Sequence, residues 1–160
     1  GEQRATQWLR GLRANGVVIV SSNGESKRQV AEGQVAVGLA DSDDAAEAMA
    51  DGQPVRSVFL DQTAPPGEPL GNLVIPNTLS LIRGGPNLEG AKRVFDFLLS
   101  ADAQKMLAES CAQAPLLPGV PTPEKVVRLD GIKPMKVDYG AAAARLDRIM
   151  PALKDWVDGK

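Results

Sequence analysis

Two short strings carry the polar side chains whose types and spacing suit chemistry. Ser21-Ser22-Asn23-Gly24 offers two hydroxyls and an amide at the start of a helix, because Ser22 followed three residues later by Glu25 is a capping-box pattern. The free N–H groups of a first helical turn, together with the helix dipole, favour negative charge, so this string suits an anion. Asp41-Ser42-Asp43-Asp44 sets three carboxylates within four residues. Such oxygens suit a hard cation, or an ammonium or guanidinium group on a ligand. Each string also has a plainer use. Ser22 and Glu25 can simply cap a helix, and acids in a first turn complement the dipole for about 0.3–1 kcal/mol each. The acidic string is no calcium loop, since the EF-hand spacing and its distal Glu are missing.

Several chemistries are excluded by what the chain lacks. It has no His, which removes Ser-His-Asp triads, Cys-His dyads and most zinc sites. Cys111 is the single cysteine, so neither an internal disulfide nor a thiolate cluster can form. There is no GxSxG and no Walker A string, and residues 33–38 do not give the GxGxxG fingerprint. A carboxylate-based metal hydrolase would have to work with Asp41, Asp43 and Asp44 and no nucleophile–base pair. The formal net charge is −2, no run of Lys or Arg makes a basic stripe, and six aromatics are scattered, so no nucleic-acid partner is expected. With 43% hydrophobic residues in 160, the chain suffices for one ordinary core or for part of a larger fold. No stretch is apolar and long enough to cross a membrane. The chain opens at Gly1-Glu2 directly on a helix-like pattern, without a signal-peptide pattern, as expected of a stretch from a longer precursor.

The elements that must position these strings follow from periodicity. Residues 3–14 read as a helix closed by Asn15-Gly16, with Ala5, Leu9 and Leu12 on one stripe. Val17–Val20 reads as a buried strand, and the helix capped by Ser22 runs to about Glu32, with Gly33 as terminator. Val35–Leu39 is a second strand, and Asp41–Asp44 start a helix ending near Asp51-Gly52. This alternation implies parallel strands with crossover helices. Both polar strings then fall where strands run into helices, the usual ligand position of an open α/β sheet. Beyond Pro54 the pattern changes. Val55–Leu60 reads as a strand, Pro65-Pro66-Gly67-Glu68-Pro69 as a loop, and Leu73–Ile82 as a long strand interrupted by Pro76-Asn77. Pro86-Asn87 starts a helix with Ala91, Val94, Phe95, Leu98 and Leu99 facing inward, and Ser100 caps another running to about Ser110. Residues 112–136 are Pro-rich and irregular. Asp138 caps a last helix, with Leu146, Ile149, Leu153 and Trp156 as its stripe and Pro151 as its bend. Trp8 and Trp156 are expected to pack in a core or between lobes.

The strings Ala14-Asn15-Gly16 to Ser22-Asn23-Gly24 and Val30–Leu39 resemble the second lobe of periplasmic iron(III)-type solute-binding proteins of ABC importers. Asp61-Gln62, Leu73–Thr78, Leu81–Asn87, Asp96–Ser100 and the stretch from Pro115-Leu116 to Pro121 resemble that family's return into its first lobe. The resemblance covers nearly the whole chain and rests on the order of these strings. It implies an α/β, periplasmic-binding-protein-like fold with a mixed sheet and helices on both faces, in an incomplete two-lobe architecture. Residues 1–53 would be part of the second lobe, and residues 54–160 the C-terminal part of the first with its closing helices. It implies a non-enzymatic receptor, periplasmic or extracellular and lipid-anchored in some full-length forms. That receptor would hand a small solute or a metal–anion complex to a membrane permease. Ligand contacts would fall on Ser21, Ser22, Asn23, Asp41, Asp43 and Asp44. Asn23 matches the polar residue that touches a synergistic anion. Asp43 and Asp44 stand where iron-binding members carry paired tyrosines, and so become the candidate metal ligands. Iron(III) with a synergistic anion is therefore one candidate cargo, and a cationic or hydroxyl-rich organic solute is another. The effector domain of a transcription regulator shares this architecture and stands as the alternative. A part of the fold taken alone is also expected to self-associate through exposed interlobe surface.

Overall fold

The computed structural model describes residues 1–63 and 70–159, so the loop expected at Pro65–Pro69 lies outside the described residues. The helices are α1 (Glu2–Ala14), α2 (Asn23–Ala31), α3 (Ser42–Ala50), α4 (Leu88–Leu98), α5 (Ala101–Cys111) and α6 (Tyr139–Val157), with a 3-10 turn at Leu129–Gly131. Their ends follow local signals. Ser22 Oγ accepts from Glu25 N–H at 3.1 Å, Asn87 Oδ1 from Gly90 N–H at 2.9 Å, Ser100 Oγ from Ala103 N–H at 3.2 Å and Asp138 Oδ1 from Ala141 N–H at 2.9 Å. Each bond satisfies one donor that a first turn leaves open. Gly16, Gly33 and Gly52 follow the ends of α1, α2 and α3 with φ of 71°, 71° and 73°, the left-handed turn that stops a helix.

The chain divides into two compact units, one made of residues 1–21 and 137–160, the other of residues 22–136. In the first, Trp156 Nε1 of α6 donates to the Leu9 carbonyl of α1 at 2.9 Å. Arg13 reaches the end of α6, donating to the Trp156 carbonyl and, at 2.7 Å, to the Val157 carbonyl. Its guanidinium also lies 4.9 Å from the Trp156 ring centroid. A cation on the last carbonyls of a helix answers the negative end of the dipole. Trp156 packs as expected, whereas Trp8 is exposed rather than in a core.

In the second unit α2 packs on α3 and α4 on α5. A small apolar cluster of Ala46, Ala112 and Val126, with Ala114 against it, joins α3 to the irregular segment 112–126. Ala112 caps α5 with a left-handed φ of 52°, which turns the chain back onto α3.

The expected mixed sheet does not form. Among the described residues no strand is present, and Val17–Val20, Val35–Leu39, Val55–Leu60 and Leu73–Ile82 are irregular segments. A parallel bridge pairs Asn72 with Pro134. The reason is visible in burial: Val37 is 84% exposed, Ile82 82% and Ile75 71%. A parallel strand holds only with paired neighbours and cover on both faces. Among the described residues the buried apolar ones are alanines and one valine, too small a mass to cover a sheet. The inner face expected of α4 is likewise only partly used: Phe95 and Leu98 are half-buried, while Ala91, Val94 and Leu99 are exposed.

What replaces a sheet is a polar crossing around Asn72. Asn72 N–H donates to the Lys133 carbonyl at 2.9 Å, and the Asn72 carbonyl accepts from Met135 N–H at 2.8 Å. Gln62 holds both sides of Lys133, accepting from its N–H at 2.6 Å and donating to its carbonyl at 3.2 Å. Gly71, at φ 86°, lets the two irregular segments meet; a Cβ there would stand 2.8 Å from the Lys133 oxygen and the Pro134 carbonyl.

Candidate functional site

The first turns of α2 and α3 meet, and they bring most of the sequence-predicted residues together. Asn23 Nδ2 donates to Asp41 Oδ2 at 2.6 Å, which joins the N-cap of α3 to the first residue of α2. A methyl group built on Gly24 would come within 3.8 Å of Asp44 Oδ1, so the two turns leave little room between them. The segment after α2 is also held close. Gly38 has no room for a Cβ, which would stand 2.5 Å from Ser26 Oγ and 2.9 Å from Val30 Cγ2.

Asp41, Asp43 and Asp44 each present a carboxylate oxygen, and the three lie within 4.8 Å of one another. Two oxygens bound to one cation at about 2.3–2.6 Å can be no farther apart than twice that distance. A spacing of up to 4.8 Å is at the edge of that span, so an ion shared by all three would have to draw the side chains inward. Each carboxylate already has a donor. Asp41 has Asn23, Asp43 accepts from Gln113 Nε2 at 2.8 Å, and Asp44 pairs with Lys27 Nζ at 3.4 Å. Lys27 also donates to Glu47 at 3.0 Å. The Glu47 carboxylate, then Asp44, hold the Lys27 ammonium above the ordinary lysine range against the opposing effect of burial. One ammonium facing several carboxylates leaves the junction negative, a field that favours a cation.

Ser22 spends its hydroxyl as the acceptor for Glu25 N–H. Glu25 in turn pairs with Arg28 at 2.7 Å and accepts from Gln29 at 2.8 Å, and the Arg28 guanidinium first, then Gln29, hold its carboxyl down at about 2. Ser21 is exposed and belongs to the unit of residues 1–21 and 137–160, so it is described apart from the junction. Three further residues shape the site. Lys27 had a readable signal, one turn beyond Asn23 on the same face of α2. Gln113 and Asn77, joined to each other at 2.8 Å, had none, because they reach Asp43 from 70 and 34 positions away in the chain.

A separate groove of about 180 Å³ runs along α3 past Ser42, Ala46 and Met49, against Phe59 and Val126. It falls below the roughly 300–1,000 Å³ usual for organic ligands.

The junction is thus a place where two helix N-termini present polar side chains to each other. The chain belongs to the bacterial extracellular solute-binding proteins, whose family model matches residues 1–134. That family binds solutes rather than transforming them, and the resemblance drawn from the strings around Asn23 and Leu73–Thr78 is borne out. The chain is 25% identical over 157 residues to Iron uptake protein A1 of Synechocystis sp., an alignment taking in 96% of this chain and 42% of that protein. The chain thus spans less than half the length of this curated relative. No solved structure matches it.

Proposed function

We propose that the protein is the solute-binding component of an ABC importer, working in the periplasm or outside the cell. It captures a small polar solute at the α2–α3 junction and delivers it to a membrane permease. The observation that carries this reading is the convergence of Asp41, Asp43 and Asp44 with Asn23 at two facing helix starts. Ser22, Asn23, Asp41, Asp43 and Asp44 are its ligand-facing residues, with Ser21 adjoining them in sequence. Asp43 and Asp44 are its metal ligands when the cargo is a cation.

The printed name of the 25%-identical relative favours iron(III) as cargo. Carboxylates, like tyrosinates, are hard oxygen donors, so the chemistry of the donor set agrees. A synergistic anion would lie against the start of α2, where free N–H groups favour it. Residues 1–53 belong to one lobe and residues 54–160 to the other. Completion of a mixed sheet by further chain would cover the segments around Val37, Ile75 and Ile82, whose exposure supports an incomplete architecture.

Calorimetry on the intact protein tests the reading, with ferric citrate, calcium, phosphate, polyamines and sugars as separate titrants. Saturable binding of a ferric complex, weakened at least tenfold in Asp43→Ala, is expected. No heat from any titrant, or unchanged binding in both Asp43→Ala and Asp44→Ala, would remove the junction as the site.

A further inference from the structure

Asp43 is held by a relay whose direction is dictated by hydrogen-bonding chemistry. Gln113 is half-buried and lies between two polar side chains. Its Nε2 donates to Asp43 Oδ2 at 2.8 Å, and its Oε1 accepts from Asn77 Nδ2 at 2.8 Å. An ionised carboxylate can only accept, so the Gln113 amide must turn its NH₂ toward Asp43. The carbonyl oxygen then faces away, and Asn77 must present its own NH₂ to it. One acceptor at position 43 thus fixes the orientation of two amides, the second of them 34 positions away.

The backbone delivers Gln113 to this place for an independent reason. Ala112 and Ala114, its neighbours in sequence, belong to the cluster with Ala46 of α3. Ala46 lies three positions beyond Asp43, on the same side of the helix. The left-handed turn at Ala112 brings the chain off α5 and onto that face.

We infer that Gln113 is a positioning residue for Asp43, and that the Asn77–Gln113–Asp43 relay is a polarity-coded strap. It ties the start of α3 to the segment of residues 73–82. This deepens the proposed function and rests on it in one respect: there, Asp43 is a ligand-facing residue, and Gln113 and Asn77 hold it from within the same compact unit of residues 22–136. A carboxylate oxygen has lone pairs to spare, so Asp43 can meet a ligand while Gln113 keeps its oxygens in place.

Polarity inversion tests the strap without any ligand. In Asn77→Asp the new carboxylate pulls the Gln113 NH₂ toward itself and turns Oε1 against Asp43, which lowers the urea midpoint. Asp43→Asn alone also lowers it. In the double variant the relay runs backwards, with the amide at position 43 donating to Gln113 and Gln113 donating to the carboxylate at position 77. Its midpoint should recover toward that of the unsubstituted protein. In a Gln113→Leu background the same two substitutions should add. Additive losses with Gln113 present would overturn the strap. Should a variant not fold, the unsubstituted protein carries the measurement: the Gln113 side-chain amide should show protected proton exchange, and fast exchange overturns the inference. A ligand titration failing while the inversion succeeds would sink the proposed function and leave the strap standing.

Discussion

Substituting Gly71 by Ala perturbs the polar crossing at its tightest point. Two costs add. The φ of 86° lies in the left-handed region, where a Cβ costs about 1–2 kcal/mol. The new Cβ would also lie 2.8 Å from the Lys133 oxygen and from the Pro134 carbonyl carbon and oxygen, all of them backbone atoms. They cannot swing aside as a side chain would, so relief means parting residues 71–73 from 133–135. That lengthens the two bonds between Asn72 and the Lys133 and Met135 backbone, each worth about 0.5–1.5 kcal/mol. Against this, Ala restricts the unfolded chain and returns about 0.4–1 kcal/mol. The net loss is about 2–4 kcal/mol. Gly33→Ala is the control, because Gly33 has nearly the same turn, at φ 71°, with nothing within 4 Å of an added Cβ. It should lose only the strain less the entropy, about 0.5–1 kcal/mol. Urea unfolding of both variants, compared at constant m, measures the difference. Equal losses in the two would refute the argument, since the collision at Lys133 and Pro134 is all that separates them.

Gly38→Ala should cost about 1–3 kcal/mol through contact with Ser26 Oγ and Val30, and Ser26→Ala in the same chain should recover part of it by thermal unfolding. Arg13→Ala should cost about 1–3 kcal/mol in the unit of α1 and α6, and Arg13→Lys should restore little of it, since the fork that serves two carbonyls and the ring is lost; a blue-shifted or unchanged tryptophan emission in both variants would count against the clasp. Glu25 is held at about 2 by Arg28, below its ordinary 4.5, so its pairing stabilises fully above pH 4.5 and is lost as pH falls toward 2. Helicity followed by circular dichroism should therefore fall in that window less steeply in Arg28→Ala than in the unsubstituted protein, and parallel curves would contradict the pairing.

The helices were legible because their signals are local. Ser22, Ser100 and Asp138 each cap the helix that the sequence assigns to them, and Gly16 and Gly33 stop α1 and α2 where expected. The strands were not, because a β-rich string such as Val35–Leu39 states only a readiness to pair. Pairing needs neighbours at the right separation, and Val37 finds none that cover it. The site was legible in proportion to the same locality. Asn23 and Asp41 lie 18 positions apart but sit at the starts of consecutive helices, so a sequence pattern could set them side by side. Gln113 arrives through an alanine cluster and a left-handed turn at a non-glycine residue, neither of which any short motif announces.

That division also explains how the junction can exist without the sheet expected to hold it. An open α/β sheet positions its ligand residues by fixing where each strand ends. Here the same positions are set from the helix side. Ser22 and Asp41 start α2 and α3, the packing of those helices sets their separation, and Lys27 pins α2 to Asp44 and Glu47. The charges work against one another unless they are held: three carboxylates within 4.8 Å repel, and a single ammonium does not balance them. Neutral donors from Asn23 and Gln113 make up part of the difference. On the proposed function, a cation entering the junction would add a full positive charge to these neutral donors and offset that repulsion. On the proposed function an anion alone would meet the same repulsion, so the junction is expected to select by charge before shape.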